Sequence, residues 1–294
     1  MSYGVRPPGY RLPDATHVGA VRLLVTDLGQ SLIYYQQVLG LRCVSRTPNS
    51  ASLAAETGSP LLHLDTRRGV RATPQGERLG LYHFALLVPD RAALGRFLTH
   101  LRDSRIPVSS ADHAVSEALY LWDPDNLGIE VYVDRPQREW RQRGDELYMT
   151  TERLDVGSLV ASAEGESWRG LPAGTRVGHM HLHVGDLAGA EAFYHSALGF
   201  DKIVWSYPGA LFLSAGGYHH HLGTNTWAAP APPRAQDEAG LLEWEMILPS
   251  GDDAEAAAAH VSARSFDVER DARGVLLRDP WGTRVRLIAS PASA

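Results

Sequence analysis

The chain of 294 residues repeats one pattern along its length. The segments GAVRLLVTDLGQSLIYYQQVLGL, from Gly19, and GHMHLHVGDLAGAEAFYHSALGF, from Gly178, align without a gap. Each reads as a strand, an aspartate (Asp27 or Asp186) that caps the start of an amphipathic helix, and a Leu-Gly pair that ends the helix. Self-similarity of this kind predicts copies of one supersecondary unit.

Two more divergent copies begin at Leu81 and Leu241 and keep the strand and the helix. Their ends, LYLWDPDNLGIEVY and LLRDPWGTRVRLIA, both place Asp-Pro between two strand-like runs, which predicts a hairpin. Four β-α-β-β-β units follow, over residues 17–68, 80–135, 176–228 and 240–290. Residues 1–16 are predicted to be an N-terminal arm, and residues 136–175 a linker with a short helix near residues 156–163.

These units predict an α+β protein with two lobes, residues 17–135 and residues 176–290. In each lobe we expect curved mixed sheets with the helices on the outside.

Composition and charge exclude several kinds of partner. Apolar residues make up 44% of the chain, charged residues 21%, and the net charge is −6. No basic run is present, so nucleic acid is not an expected partner. No apolar segment approaches the roughly 20 residues of a membrane span, and the first residues lack the apolar core of a signal peptide. We therefore expect a cytoplasmic protein without membrane attachment. The sequence leaves open whether the chain forms a homo-oligomer.

One register position in the first strand of each unit lies seven residues before the residue that caps the helix. In the four units in turn this position holds Ala20, His83, His179 and Glu243. The ligand position of the last strand holds Glu130 in the second unit and Arg286 in the fourth. Only units two and three together supply two histidines and a glutamate.

His83, His179 and Glu130 form the two-His-one-carboxylate set that binds non-haem Fe(II) on one side and leaves the other side open. The chain has a single cysteine, Cys43, so a metal must be held by histidine and carboxylate. For either histidine alone, a hydrogen-bonded core residue is the commoner interpretation. Their shared register position favours metal ligands, because structural histidines would not follow the symmetry of the repeat.

A rival site would use His179 with Glu243. It would place Arg286 at the third ligand position, and a cation beside a divalent metal is electrostatically unfavourable. We therefore expect units two and three to share a metal-bearing cleft and units one and four to share a vacant one. Alternation places five charged residues in the vacant cleft, where salt bridges are expected: Arg22, Glu243, Glu245, Arg284 and Arg286.

The tandem units, together with the passages GLYHFALLVPDR, DHAVSEALYL, GHMHLHV and GGYHHHLGTNTW, resemble the vicinal oxygen chelate superfamily, which includes glyoxalases, bleomycin-resistance proteins and extradiol dioxygenases. The resemblance covers nearly the whole chain and is closest to the Bacillus-type catechol 2,3-dioxygenases. Asn126 departs from the family's usual glycine after Asp-Pro-Asp, but asparagine tolerates the positive φ of such a turn, so the hairpin is expected to form.

The resemblance implies an extradiol dioxygenase that inserts both atoms of O2 into a catechol-type aromatic diol at Fe(II), with Mn(II) as the alternative metal. It also implies that His220, in FLSAGGYHH, is the acid-base residue, that Tyr120 donates a hydrogen bond to the diol, and that His113 contacts substrate or the distal oxygen. Alternatives remain open, since Tyr120 would also suit cross-strand packing.

The other aromatic and histidine residues near these motifs are not assigned by the sequence. The run from His219 to His221 would also suit an exposed polar cluster, and strand alternation predicts that His220 faces away from both its neighbours. His181 and His183 share the face of His179 and either line the cavity or form a polar wall. Trp122 and Trp227 form either pocket walls or part of the core.

Two other functions stay open. A glyoxalase-like isomerase or lyase would bring a fourth protein ligand to the metal, and that position falls near His221 or Leu222. A metal-free binding protein of the bleomycin-resistance kind would lack the two-His-one-carboxylate set.

Overall fold

Each of the four repeats folds as a helix with four strands in the computed structural model, which describes residues 3–290. Met1 and Ser2 of the predicted arm, and residues 291–294, lie outside the described part. Unit one contains β1 (His17–Val25), α1 (Leu28–Gln37), β2 (Arg42–Arg46), β3 (Ser50–Ala54) and β4 (Leu62–Thr66). Unit two contains β5 (Gly80–Leu87), α2 (Arg91–Asp103), β6 (Ser109–Asp112), β7 (Ser116–Trp122) and β8 (Gly128–Asp134).

The connection between the halves holds a 3-10 turn (Gln137–Glu139), the short strands β9 (Gln142–Arg143) and β10 (Glu146–Leu147), and α3 (Val156–Ala161). Unit three contains β11 (Arg176–His183), α4 (Leu187–Ala190), which continues as a π-helix (Glu191–Ala197), and then β12 (Asp201–Val204), β13 (Ala210–Ser214) and β14 (Leu222–Asn225). Unit four contains β15 (Gly240–Leu248), α5 (Gly251–Ser262), β16 (Val268–Asp271), β17 (Gly274–Arg278) and β18 (Arg284–Ala289).

The helices begin and end where the repeat pattern predicts. Asp27 accepts a hydrogen bond from the backbone N–H of Gln30 at 2.9 Å, and Asp186 caps its helix in the same way. Gly40 and Gly199 follow the two helices with φ of +71° and +101°, a conformation that glycine adopts without strain. The predicted caps and helix ends are therefore confirmed.

Two mixed sheets of eight strands carry the fold, and each joins strands from both halves of the chain. Their orders are β16-β17-β18-β15-β1-β4-β3-β2 and β12-β13-β14-β11-β5-β8-β7-β6. At the centre of each sheet, the first strands of two units pair antiparallel, β1 with β15 and β5 with β11. The α+β class with curved mixed sheets is confirmed, and units two and three share one sheet.

The units are also joined within each half by a buried tyrosine and an aspartate. The Tyr35 hydroxyl in α1 donates to Asp123 in the hairpin of unit two at 2.9 Å. Tyr194 of unit three donates to Asp279 of unit four at the same distance. Burial raises the pKa of both carboxyls to about 6.

The arm and the connection lie against the folded units. Arg11 pairs with Asp201 at 2.7 Å, and Leu12 is buried beside the third unit. The short helix expected near residues 156–163 is present as α3. Among residues 3–290, no helix is long and apolar enough to cross a membrane.

Candidate metal centre

Two histidines and a glutamate converge at the centre of the second sheet. His83 lies in β5, His179 in the antiparallel neighbour β11, and Glu130 in the parallel neighbour β8. Their ligand atoms all lie within 4.8 Å of one another and all three side chains are buried. The Glu130 Oε2 atom is 3.0 Å from Nε2 of His83 and 3.2 Å from Nε2 of His179. The residues that repeat register assigns to one site are therefore adjacent in space.

The protonation of this group suits a divalent cation. Burial acts to raise the pKa of Glu130, but His179 and His83 beside it hold that pKa well below its usual range. Burial lowers the pKa of His83, although Glu130 acts in the opposite direction. The group therefore presents a carboxylate and neutral imidazole, the forms that bind metal.

Two buried nitrogens of the group make no hydrogen bond: Nδ1 of His179, and Nε2 of His83, whose contact with Glu130 at 3.0 Å does not have hydrogen-bond geometry. Unpartnered buried polar atoms are rare and costly in proteins. Coordination by Nε2 of His83 would satisfy that atom, so the donor set fits a metal of the non-haem iron type.

His220 lies beside the metal group, with its ring centroid 4.1 Å from that of His179. His219 Nε2–H donates to Asp134 at 2.8 Å, so its Nδ1 is free to accept from His220 Nδ1–H at 2.7 Å. With both rings neutral, this arrangement leaves Nε2 of His220, which lines the cavity, without a proton. Burial and the neighbouring His179 lower the pKa of His220 well below its usual value.

All three histidines of this run are buried, which excludes the alternative of an exposed polar cluster. They precede β14, which begins at Leu222, so the premise of strand alternation is wrong, and His219 contacts His220 directly. The consequence drawn from that premise is nevertheless confirmed, because His220 lines the cavity above the metal group and His219 and His221 do not.

Tyr120 and His113 form a second pair at the cavity wall. Tyr120 lies directly opposite Glu130 across β7 and β8. His113 Nδ1–H donates to the Thr150 carbonyl at 2.7 Å, so its Nε2 accepts from the Tyr120 hydroxyl at 2.6 Å. Burial and the charge of Glu130 raise the pKa of Tyr120 well above its usual value. Tyr120 therefore donates to His113, and its hydroxyl lies at the cavity wall on the strand next to Glu130.

A cavity of about 390 Å³ opens above the metal group, and it is defined here as the inner cavity. Six aromatic rings wall it together with the histidines: Tyr82, Tyr120, Trp122, Tyr207, Phe212 and Trp227. Trp122 and Trp227 are pocket walls with large exposed surfaces, not core residues. The connection between the halves adds Met149, Thr150 and Thr151 to the wall.

Sequence reasoning missed Tyr82 because the pairing of β5 with β11 is irregular there. His83 pairs with His181, but Leu81 pairs with the next residue, Leu182, so Tyr82 is an extra residue in the ladder. A bulge breaks the alternation of faces, and both Tyr82 and His83 line the inner cavity.

Asn225 organises the remaining histidines of β11. Its Oδ1 accepts from the backbone N–H of Trp227 at 3.1 Å and from His183 Nδ1 at 2.7 Å. Because a backbone N–H can only donate, this fixes the amide orientation, and Nδ2 donates to His181 Nε2 at 3.0 Å. His181 lines the inner cavity, while His183 supports Asn225 and lies outside that cavity.

The equivalent position between units one and four holds ion pairs, as expected. Arg286 Nη2 lies 3.2 Å from Glu243 and its Nη1 lies 2.7 Å from Asp271. Arg273 also contacts Glu243, and Arg22 pairs with Asp65 at 2.8 Å and approaches Glu243.

Glu245 joins the cluster through Arg273 at 3.7 Å. The expectation is wrong for Arg284, which forms no ion pair with the described residues. The reason is geometric, since the carboxylates of this cleft are already engaged by the other three arginines.

Comparison with known proteins matches the same repeats. The family model described as "Glyoxalase/Bleomycin resistance protein/Dioxygenase superfamily" matches residues 16–131 and 176–287. The Bacillus subtilis (strain 168) protein named catechol-2,3-dioxygenase is 42% identical over 271 residues, which cover 91% of this chain and 95% of that relative.

Two solved structures share the fold. A proposed dioxygenase from Bacillus subtilis strain 168 superposes with a TM-score of 0.65 at 14% identity, covering 97% of this chain and 87% of that one. Glyoxalase I from Zea mays superposes with a TM-score of 0.54 at 14% identity, covering 94% and 92%. At these identities the structures bear on the fold alone. The family match and the Bacillus relative show that the chain belongs to the Glyoxalase/Bleomycin resistance protein/Dioxygenase superfamily.

Proposed function

We propose that this protein is an extradiol ring-cleaving dioxygenase, which inserts both atoms of O2 into a catechol-type aromatic diol at a non-haem Fe(II). The observation that carries the proposal is the buried group of His83, Glu130 and His179 at the base of an aromatic cavity. The name of the relative that is 42% identical supports the same activity.

His83, His179 and Glu130 would hold the metal, with Mn(II) as the alternative to Fe(II). Three protein ligands would leave coordination positions for the diol and O2, and the metal, when bound, would supply a lowered pKa for the diol hydroxyls.

His220 is the acid-base residue of the proposal. His220 lines the inner cavity, and its Nε2 carries no proton when Nδ1–H donates to His219, so Nε2 can accept a proton from a diol hydroxyl. His219 and Asp134 hold the ring in this orientation through hydrogen bonds of 2.7 and 2.8 Å. The same nitrogen later returns the proton to the opened product.

Tyr120 and His113 act together on the other side of the metal group. The hydrogen bond of 2.6 Å to His113 Nε2 holds the Tyr120 hydroxyl at the cavity wall. From there the hydroxyl would turn its proton toward a bound diol, which is the role that the resemblance implies for Tyr120.

Two observations support this activity over the alternatives. His221, near the expected fourth ligand of a glyoxalase, is instead engaged with Ser214 and with the backbone of Ala215 at 3.2 Å. A metal-free binding protein would have no need for the buried His83, Glu130 and His179 group. We also place the enzyme in the cytoplasm, since the free Cys43 is compatible with a reducing compartment. The proposal includes assembly as a homo-oligomer as an open alternative.

The test is anaerobic reconstitution with Fe(II), followed by addition of catechol and air. We expect the yellow ring-opened product from the wild-type protein, and loss of both bound iron and turnover in His83→Ala and Glu130→Ala. His17→Ala, at an exposed residue of β1, is the matched control and should retain both. Circular dichroism checks that the variants fold. Normal iron content and turnover in either ligand variant would refute the site.

A further inference from the structure

A second pocket adjoins the inner cavity. It has a volume of about 310 Å³ and is defined here as the outer pocket. Tyr82, Trp122 and Trp227 line both spaces. Its other walls are formed by the loop over residues 73–76, by Leu81, Leu127 and Ala228, and by the polar residues Arg78, Asn126 and His183. The three shared rings therefore stand where the two spaces meet.

A continuous series of rings connects the metal group to this junction. The centroid of His83 lies 4.8 Å from that of Tyr82, and the centroid of Tyr82 lies 5.6 Å from that of Trp227. The junction is therefore separated from the metal group by one ring, Tyr82, so a substituent directed toward Tyr82 from a ring at the metal group would reach it.

The two tryptophans present apolar surface to solvent at this junction. Trp122 is 43% exposed and Trp227 is 50% exposed, which is unusual for the largest apolar side chain. Trp227 is nevertheless fixed, because its backbone N–H donates to Asn225 and its Nε1–H donates to the Pro208 carbonyl at 3.2 Å. A fixed and exposed aromatic ring beside a cavity is suited to bind an apolar ligand group.

Charge at the two spaces disfavours an anionic group. Among the described residues, no lysine or arginine lines the inner cavity, and Glu130 is its one acidic wall residue. In the outer pocket, Arg78 is already engaged, since its Nε and Nη2 donate to Glu238 at 2.8 and 2.7 Å. A carboxylate on the substrate would lose its hydration there without forming an ion pair with a cationic side chain.

We propose that the enzyme acts on catechols that carry an uncharged apolar substituent, and that this substituent lies between Trp122, Trp227 and Tyr82 and extends into the outer pocket. This inference rests on the proposed dioxygenase function and deepens it by naming the substrate class.

The test compares catechol, the 3- and 4-isomers of propylcatechol, and 3-(3,4-dihydroxyphenyl)propionate with the iron-loaded enzyme. Each buried methylene group contributes a factor of about 4 in binding. Because the propyl group would stay partly exposed at the junction, we expect kcat/KM for the more active of the two propylcatechol isomers to exceed that for catechol by roughly 10-fold. The propionate, matched in size but charged, should fall below catechol. Anaerobic titration calorimetry should give the same order of affinities without turnover.

Trp227→Ala and Trp122→Ala should each reduce the preference for propylcatechol over catechol by at least about threefold, and Trp227→Phe should restore part of it. Trp205→Ala is the matched control, because Trp205 is also exposed but lines neither space, and it should keep the wild-type preference.

The outcomes separate the two proposals. No cleavage of any catechol would refute the dioxygenase function itself. Cleavage of catechol with no gain from the propyl group, a propionate as good as propylcatechol, or an unchanged preference in both tryptophan variants would overturn the substrate class alone.

Discussion

Replacing Arg286 should lower Tm by several degrees, because its side chain is buried and bridges two carboxylates. Its side chain is 3% exposed and contacts both Glu243 and Asp271. Arg286→Met keeps the length of the side chain but leaves the buried Glu243 without its most enclosed partner. Removing one member of a buried ion pair costs about 3 to 5 kcal/mol.

The lower end of that range applies, because Arg273 and Arg22 still face Glu243. In a chain of this size a loss of 1 kcal/mol lowers Tm by about 2 °C, so a loss of about 3 kcal/mol predicts a fall of about 6 °C. Thermal unfolding followed by circular dichroism measures the shift. Bound iron should be unchanged, since the metal group lies in the other sheet.

The control is the double variant Arg286→Met/Glu243→Leu. Apolar replacement of a whole buried pair is often neutral or stabilising, so the double variant should recover most of the lost Tm. Asp271 is half exposed and remains hydrated in both variants. A Tm for Arg286→Met within about 1 °C of wild type, or a double variant less stable than the single one, would refute the reasoning.

Two further predictions follow from hydrogen bonds described above. His219→Gln should lower kcat for catechol by roughly 10-fold or more and change KM little, because His219 and Asp134 orient His220 without touching substrate. Steady-state kinetics test this prediction, and a change in KM alone would contradict it. Burial raises the pKa of Asp123 and Asp279 to about 6 in the folded protein, above roughly 3.9 in the unfolded chain, so the folded state binds more protons between these values. The contribution of these two carboxyls to the unfolding free energy should therefore rise as pH falls from about 6 to 4, by up to about 1.4 kcal/mol per pH unit for each carboxyl. The buried histidines, whose pKa values are lowered, act in the opposite direction but equally in wild type and variant. Urea unfolding at pH 6.5 and 5.0 should therefore show the wild type gaining stability relative to Asp123→Asn/Asp279→Asn as pH falls, and parallel profiles would disprove it.

Repeat register was sufficient to predict the arrangement of the second sheet's centre. Two copies of one unit place their first strands alike, so His83 and His179 lie on adjacent strands, two residues apart in register, when β5 and β11 pair. Glu130 lies beside Ala85, the residue opposite His179, on the parallel neighbour β8. The ion pairs of Arg286 and Glu243 follow from the same counting. These inferences succeed because backbone pairing in regular strands depends little on side-chain detail.

Other parts of the candidate site depend on irregular backbone, which no periodicity describes. Tyr82 reaches the cavity through a bulge, and His219 and His220 lie in the turn before β14. Met149 and Thr150 come from a connection whose path is set by tertiary contacts, such as the bond from His113 to the Thr150 carbonyl. Their placement required the folded structure.

The pairing of β1 with β15 and of β5 with β11 has a consequence for folding of the chain during its synthesis. Within the first half, β1 and β5 each have a strand neighbour on one side only, and their other edges are covered by strands that lie more than 90 residues further along. During synthesis from the N-terminus, two bare sheet edges thus emerge well before the strands that cover them, and exposed edges invite pairing with other chains. Ribosome-bound intermediates that end in the connection should be the species most in need of chaperone protection.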